Sequence, residues 1–511
     1  MEVLLQSVPE GIKLVLQPLS LVAVVLGVLV GVIIGAIPAM GPMVGMAVFL
    51  PFSIGFPPEY AILLFVGILV GSGFGNSIPA ILMRVPGTAS AVLTCVEGYE
   101  FQRRGEGGKA IGISLISSVI GQGISIFFFV LFMVPLVAIA INFMFPEKFA
   151  LVILGLTAAV GLLGKSPVRG IAAVAIGLAI ATIGPDPVTG YPRFSFGDPE
   201  LQVGLGMVPV LCGILAISAL LAGARQNFSW PKTEVKLSQI IPTSRKDWTE
   251  IRTGTIIGTI VGLIVGALPG AGQSIAAFIA YQQTRIFSKY RDQFGKGCPD
   301  AVAAVDAAQN AAVGGQLVPT LALGVPGAAG MVMLLAVLTI HGIVPGPGII
   351  YSYPPAIYAT TGGLIASTIL LFPLGLLLVI PTIRIMTLSR ITVVLSALVL
   401  CIVAIYTIRW SLFDVYVLLG TGLLGYVMLR FGFPVAPAAL AVVLGGMLEE
   451  NLRVGLVMTY KSWSAFFGRP AVIVILLLAL VSLMWPYISP RLGRRKRTAA
   501  EGLSSSNLKD E

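Results

Sequence analysis

Long apolar segments alternate with short polar ones along almost the whole chain. The apolar runs lie at about 14–37, 60–83, 111–143, 148–164, 168–184, 203–222, 254–268, 302–324, 328–340, 356–383, 391–408, 412–429, 434–448 and 470–488. A membrane-spanning helix needs about 20 apolar residues, so the pattern predicts roughly ten to fourteen membrane-spanning or half-spanning helices. We therefore expect an all-α polytopic membrane protein.

Composition supports this class. Of the residues, 57% are hydrophobic and only 11% are charged, whereas a soluble domain has about 25% charged residues. The net charge is +10, but Lys and Arg fall in loops and in the tail, where they set the orientation of the helices in the lipid bilayer. We therefore expect no nucleic-acid partner. Four scattered cysteines and one histidine, His341, argue against a disulfide scaffold and a His/Cys metal site.

Two motifs occur twice in the same order. The stretch "GVLVGVIIGAIPAMG" from residue 27 corresponds to "GTIVGLIVGALPGAG" from residue 258, an offset of 258 − 27 = 231. A Pro-x6-Pro-Gly motif at 79–87 recurs at 319–327, an offset of 319 − 79 = 240. Repetition of both motifs in one order predicts an internal duplication.

Loop charges predict that the two repeats are inverted. In the first half, the loop "FLPFSIGFPPEY" before the Pro-Gly motif has no Lys or Arg, and "YEFQRRGEGGK" after it has three. In the second half the preceding loop is basic, and the following one, "HGIVPGPGIIYSYPP", has no Lys or Arg. By the positive-inside rule, equivalent loops then lie on opposite sides of the membrane, as in many secondary transporters.

The repeated motifs and the positions of the basic residues predict four parts of the chain. We expect a first transmembrane repeat at 1–222, a basic cytoplasmic linker at 223–252, a second repeat with C-terminal helices at 253–490, and a polar cytoplasmic tail at 491–511.

The Pro-Gly segments predict broken helices at membrane depth. Broken backbone survives there only when it is buried in protein or lines a wet cavity. Half-helix N-termini can attract an anion, and freed carbonyls can hold a cation. The alternative is that Gly and Pro only allow close packing and kinks.

Candidate site residues follow from the two motifs and the polar residues near them. We expect the substrate to contact Asn76, Ser77, Arg84, Pro86, Gly87, Thr88, Gln316, Pro326 and Gly327. We expect a coupling ion near Pro38, Gly41, Gly270, Gly272, Asp306 and Asn310. Ser90, Thr94, Gln273 and Ser274 add polar groups, although any of these side chains could serve as a helix-helix hydrogen bond.

Arg84 and Asp306 are notable because ionisable groups are costly in a membrane segment. Arg84 could bind a substrate carboxylate, pair with Asp306, or extend to the membrane surface from a helix end. Glu449 and Arg453 are four residues apart, which predicts a local ion pair.

Taken together, several motifs resemble the large membrane subunit of the tripartite tricarboxylate transporter family. They are "GAIPAMGP", "GALPGAGQSIAAF", "GPDPVTGYPRFSFGDPEL", "IHGIVPGPG" and "FGFPVAPAALAVVLGGMLEENLR", in order from about residue 20 to 460. The resemblance implies a bacterial inner-membrane protein that works with a small membrane subunit and a periplasmic solute-binding protein. It also implies uptake of organic anions such as citrate, driven by an ion gradient, typically Na+, with no ATP and no other cofactor.

This chain departs from the family pattern at three places. It has Pro38-Ala39 where the family usually has Pro-Gly, Arg84 where a small amide is usual, and "DAAQN" at 306–310 where Glu-Ala-Ala-Asn-Asn is usual. These departures leave open which carboxylate is carried.

Other classes have less support in the sequence. An intramembrane enzyme needs carboxylate pairs, His clusters or a Ser/Lys dyad, for which the chain offers little material. No G-x-x-x-x-G-K-[ST] nucleotide-binding loop is present. A channel would also use broken helices and polar filters, and a scaffold without transport of its own is a third alternative.

Overall fold

The computed structural model describes residues 2–37, 40–140, 142–163, 166–224, 240, 245–386 and 390–484. Within these ranges the chain is almost entirely helical. The strands found there are two-residue β1 (Gly184–Pro185) and β2 (Pro192–Arg193), which pair antiparallel. The predicted all-α class is confirmed.

The helices run in chain order through both halves. The N-terminal half contains α1 (Glu2–Val15), α2 (Pro18–Ala36), α3 (Pro42–Ser53), α4 (Pro58–Gly75), α5 (Ser77–Met83), a 3-10 turn (Ala89–Ala91), α6 (Val92–Arg103), α7 (Gly107–Ala140), α8 (Phe145–Leu163), α9 (Pro167–Ala181), α10 (Pro199–Val203), α11 (Met207–Leu211), a π-helical segment (Cys212–Ile217) and α12 (Ser218–Ala224).

The C-terminal half contains α13 (Arg245–Gly266), α14 (Gly272–Phe287), a 3-10 turn (Arg291–Gln293), α15 (Pro299–Leu323), α16 (Ala329–Ile340), α17 (Ile349–Ser352), α18 (Pro354–Met386), α19 (Arg390–Arg409), α20 (Leu412–Arg430), α21 (Val435–Met458), α22 (Trp463–Phe467) and α23 (Pro470–Met484). Helix α13 begins inside the predicted linker 223–252, whose residues 225–239 and 241–244 lie outside the described ranges, as does the tail from 491.

Proline marks the start of many helices. Pro18, Pro42, Pro58, Pro167 and Pro299 each stand in the first turn of their helix. The first-turn amides have no partner within the helix, so a residue without N–H costs little there and its fixed φ favours helix initiation.

Several helices are suited to cross a membrane. In the described part of the chain, seven helices are long and apolar enough to do so, and six more apolar helices are 10–17 residues long. Together they fall within the predicted ten to fourteen, and the chain is a multi-pass membrane protein.

Two buried helical segments form the centre of the molecule. Helices α4 and α5 form one span, Pro58–Met83, that is buried from residue 61 to its end, and α15 is buried along almost its whole length. The two cross antiparallel, because Gly73 lies against Asn310 while Ser77 hydrogen-bonds to Asp306. Antiparallel crossing of equivalent helices is what an inverted repeat requires, and inversion of the complete halves stays a prediction.

Each central helix is packed against a glycine-rich helix in the same way. A Cβ placed on Gly27 of α2 would lie 2.3 Å from the carbonyl oxygen of Leu64, and one on Gly258 of α13 would lie 2.3 Å from that of Ala304. Leu64 and Ala304 differ by 304 − 64 = 240, the offset of the Pro-Gly motif. Equivalent contacts in the two halves support the duplication, and the missing side chains allow close backbone approach.

The remaining helices surround this centre. Helix α7 packs on α15 through Gly121 and Gly314, and α18 packs on α4 through Gly363. Helices α9 and α21 meet at Gly177. The first half of the chain therefore contacts the second through buried helix faces at several places.

The predicted Glu449–Arg453 ion pair is confirmed, and it is part of a larger cluster. Arg453 contacts Glu449 at 2.5 Å and Asp186 at 2.8 Å. Arg193 contacts Glu449 at 2.8 Å and Asp186 at 3.3 Å. Two arginines and two carboxylates thus join the β1–β2 loop to α21.

Gly31→Ala should destabilise the protein, because the added Cβ would lie 2.5 Å from the carbonyl oxygen of Ile68. Overpacking of this kind costs about 1–3 kcal/mol. Gly420→Ala is the matched control, because a Cβ there meets no atom within 4 Å. The measurement is the thermal aggregation midpoint in detergent; equal midpoints for the two variants would contradict the close approach of α2 and α4.

Asp186 should contribute stability that is lost in acid. Backbone N–H groups of Thr189 and Val188 donate to its carboxylate and Arg453 lies beside it, which lowers the pKa of Asp186 from 3.8 to about 2. A carboxyl whose pKa is lowered by folding stabilises the folded state above the unfolded pKa, and this contribution disappears as the pH falls through the folded pKa.

The midpoint difference between wild type and Asp186→Asn should therefore be constant near neutral pH and shrink below about pH 4. Asp292→Asn serves as the control, because the Asp292 side chain is 96% exposed. A difference that grows on acidification would contradict the cluster as described.

Candidate functional site

A cavity of about 620 Å³ lies where the two halves of the chain meet. Its volume is within the range of small-molecule sites, about 300–1,000 Å³. Four segments in which helices begin contribute to its wall, at 41–44, 88–90, 271–275 and 328–330. Residues of the π-helical segment and of α12, α20 and α21 complete it.

The four segments form two equivalent pairs. Residues 41–44 correspond to 272–275 at the offset of 231, and residues 88–90 correspond to 328–330 at the offset of 240. The structure therefore places two equivalent segments from each half around one cavity.

The helix starts leave backbone N–H groups available to a ligand. Gly41, Thr88, Ala271 and Ala328 precede the helical segments, and none of them makes a side-chain capping hydrogen bond. Uncapped first-turn amides and the positive end of the helix dipole favour an anion. Among the described residues that line the cavity none is charged, and the polar side chains are Thr88, Ser90, Gln273 and Ser274.

The turn in each half is built by the Pro-Gly motif. Helix α5 ends at Arg84 with φ +57°, and α15 ends at Gly324 with φ +71°. After this left-handed residue the chain turns back, so that Gly87 lies against Asn76 and Gly327 lies against Gln316. A Cβ on either glycine would come within 3.0 Å of that neighbour, which explains why glycine stands at both positions.

Asn76 connects this turn to the other half of the chain. Its Nδ2 donates to Thr88 Oγ1 at 3.1 Å and to Gln309 Oε1 at 3.0 Å. Ser90 Oγ also donates to Gln309 Oε1, at 2.7 Å. Two side chains of the cavity wall, Thr88 and Ser90, are thereby held by a buried hydrogen-bond network.

The structure separates the predicted site residues into three groups. Gly41, Thr88 and Gly272 line the cavity. Those one layer behind it or in the adjoining turns are Asn76, Ser77, Pro86, Gly87, Gln316, Pro326, Gly327, Gly270, Asp306 and Asn310. Pro38 lies outside the described residues.

Arg84 lies away from both the cavity and Asp306. Its side chain is exposed, and its guanidinium lies over the ring of Tyr99, 5.7 Å from the centroid. Asp306 instead accepts a hydrogen bond from Ser77 at 2.5 Å. Of the three roles left open for Arg84, pairing with Asp306 does not occur in this structure, because the left-handed turn directs the arginine towards α6. Its predicted contact with the substrate stays a prediction.

Three buried polar features were not anticipated from the sequence. Gln309, the centre of the network, lies in the "DAAQN" stretch, and the sequence predicts no role for it. Helix α7 carries a buried polar stripe, visible in the sequence as a spacing of three to four residues: Ser114, Ser118, Gln122 and Ser125. The third is Glu97, which the sequence analysis did not single out.

Glu97 of α6 is a buried carboxylate held by the second half of the chain. It accepts hydrogen bonds from the Tyr281 hydroxyl at 2.7 Å and from the backbone N–H groups of Gly295, Gly297 and Cys298 at 2.5–3.0 Å. Its partners are neutral donors, and together they connect α6 to the loop before α15.

Two further cavities lack the repeat-equivalent helix starts described above. One of about 350 Å³ between α8, α9 and α21 is lined mainly by apolar side chains. Another of about 490 Å³ lies near Glu10, Lys13 and Glu59. The 490 Å³ cavity also contains helix starts, at Gln17, Pro57 and Pro355, but they are not equivalent positions of the two repeats. Of these three cavities, the one between the halves gathers both pairs of equivalent segments and is the candidate site.

Comparison with known proteins gives one family match. The family model described as "Tripartite tricarboxylate transporter TctA family" matches residues 21–440. A protein of Agrobacterium vitis described as an uncharacterized 52.8 kDa protein in the TAR-I ttuC' 3' region is 30% identical over 467 residues, covering 91% of this chain and 93% of the relative.

A second Agrobacterium vitis protein, described as an uncharacterized protein in the TAR-II ttuC' 3' region, is 31% identical over 210 residues, covering 41% of this chain and 87% of the relative. No solved structure matches the chain.

Arg84→Gly should preserve stability and transport, because glycine adopts the left-handed conformation readily and occupies the equivalent position 324. Arg84→Ala should be less stable than Arg84→Gly by about 1 kcal/mol, because it keeps an L side chain in that conformation, as the wild type does. Thermal midpoints and the substrate KM for uptake test both variants. A rise in KM of about tenfold in both would instead assign Arg84 to a substrate carboxylate.

Proposed function

The chain belongs to the tripartite tricarboxylate transporter TctA family, and we propose that it is the large membrane subunit of a secondary transporter that imports an organic anion. The family is one of transport rather than catalysis. The anion is a tricarboxylate or a related carboxylate, and it binds in the cavity between the two halves.

The proposal rests on the four helix starts around that cavity. Each helix N-terminus presents roughly half an elementary charge, so four of them supply about two positive charges without a single cationic side chain. Such a field suits a small anion with several carboxylates. Thr88, Ser90, Gln273 and Ser274 supply hydroxyl and amide groups that can orient it.

The same proposal covers the coupling ion, the partners and the location. A cation gradient, Na+, drives uptake. A periplasmic solute-binding protein delivers the anion, and a small membrane subunit completes the system in the bacterial inner membrane. The basic linker 223–252 and the tail then face the cytoplasm, in agreement with the positive-inside rule.

Transport follows from movement of one part of the protein relative to the rest. The anion enters from the periplasmic side, binds at the helix starts, and is released when the cavity opens inward. Because the walls come from both halves of the chain, relative movement of the halves changes the site itself.

The function is tested by uptake into proteoliposomes that contain this chain with its small subunit and binding protein. A panel of labelled di- and tricarboxylates is supplied with and without an inward Na+ gradient. We expect saturable accumulation of one anion above equilibrium, dependent on Na+. Flux that only equilibrates, in a complex shown to be intact, would favour a channel.

Ala89→Phe should reduce this uptake at least tenfold. Ala89 is exposed and lines the cavity between the helix starts, so a phenyl ring there would occupy the volume of the anion. Ala175→Phe is the control, because Ala175 is exposed on α9 and lines none of the three cavities described. Normal uptake by folded Ala89→Phe protein would move the substrate site elsewhere.

A further inference from the structure

Behind the candidate cavity, several buried oxygen atoms have no hydrogen-bond partner. They are Asp306 Oδ2 and Asn310 Oδ1 on α15 and Ser114 Oγ on α7. All three residues are 0% exposed. Leaving a buried polar atom unpaired costs about 1–3 kcal/mol, and more if it is charged, so such a group points to a missing ligand.

The two oxygens of the Asp306 carboxylate differ in their surroundings. Oδ1 accepts hydrogen bonds from Ser77 Oγ at 2.5 Å and from Gln309 Nε2 at 3.2 Å. Oδ2 has no partner, although the Ser114 hydroxyl lies beside the carboxylate. The carboxylate is thus fixed by one oxygen and open at the other.

Asn310 is fixed in a comparable way. Its Nδ2 donates to the backbone oxygen of Asp306 at 3.3 Å, which leaves Oδ1 facing α4. There a Cβ on Gly73 would come within 2.6 Å of Oδ1. The glycine therefore lets the Asn310 side chain pack directly against the backbone of α4, where a larger residue would displace it.

An ionised carboxylate at this site needs a positive counter-charge. No Lys, Arg or His in the described part of the chain forms a salt bridge with Asp306. A buried carboxylate without a cationic partner is costly. One carboxylate balances one positive charge, and carboxylate, amide and hydroxyl oxygens are ligands for hard cations. Among the described residues no three His, Cys, Asp or Glu side chains gather to hold a multivalent metal.

We propose that Asp306, Asn310, Ser77 and Ser114 bind one dehydrated Na+ ion between α5, α7 and α15. This inference rests on the proposed function, to which it adds the place of the coupling ion. It also separates the ion from Gly41 and Gly272, which line the cavity, and from Gly270 in the adjoining turn.

The hydrogen-bond network connects the ion to the anion cavity. Gln309 donates to Asp306 Oδ1 through its Nε2 and accepts from Ser90 and Asn76 through its Oε1. Asn76 in turn donates to Thr88. Since Thr88 and Ser90 line the cavity, Na+ at Asp306 fixes the orientation of the groups that meet the anion. Coupling then arises because each ligand holds the network in the form that favours the other.

The test is direct binding of ²²Na+ to the purified full-length chain, without partners or a gradient. We expect saturable binding by wild type and a loss of affinity of about 100-fold or more in Asp306→Asn. Ser114→Ala should weaken binding about tenfold, because it removes one neutral ligand of a charged ion. Asp300→Asn is the control, since the Asp300 carboxylate on the same helix already accepts from Ser288 and Gly254.

The outcomes separate this inference from the proposed function. Equal Na+ affinity in wild type and Asp306→Asn, or no Na+ binding with uptake driven by protons, would overturn the site while uptake stands. Na+ binding that depends on Asp306, in a complex that accumulates no carboxylate, would leave the site in place and remove the transporter proposal. If Asp306→Asn does not fold, Ser114→Ala decides: an unchanged Na+ affinity would overturn the site.

Discussion

Four helical segments of this protein begin in its interior, and the candidate site depends on that constraint. In lipid, first-turn amides without a partner would each cost several kcal/mol, so such ends are stable only inside protein or against a polar cavity. The chain gathers the starts at Gly41, Thr88, Ala271 and Ala328 around one volume. The cost of breaking the helices thereby becomes an attraction for a negatively charged ligand.

Close packing makes this arrangement rigid enough to be specific. Gly27 and Gly258 let α2 and α13 approach the backbone of the central helices, and Gly87 and Gly327 let the turns fold back onto Asn76 and Gln316. Hydrogen bonds in such a dry interior are stronger than in water, and an unpaired group is correspondingly costly. The Asn76–Gln309–Asp306 network therefore joins the two halves in one defined geometry.

Much of this could be predicted from the sequence, because glycine and proline recur at fixed offsets and have few structural roles in a membrane helix. The duplication, the four irregular segments and most polar side chains follow from those offsets. Gln309 and the Ser114 stripe were missed because spacing along one helix gives no distance to another. Arg84 was assigned to the substrate site because of its charge. The offset of 240 already makes it the repeat equivalent of Gly324, at a position where the backbone is left-handed.

The absence of charged side chains from the described cavity wall divides two tasks between two parts of the molecule. In the proposed site, affinity for negative charge comes from backbone N–H groups, which among substitutions only proline removes, while recognition of shape comes from Thr88, Ser90, Gln273 and Ser274. Substitutions at these four positions can change which anion is preferred without removing the attraction for anions in general. Under this proposal, a change of substrate requires only a few exchanges of neutral side chains, while the backbone donors of the helix starts stay in place.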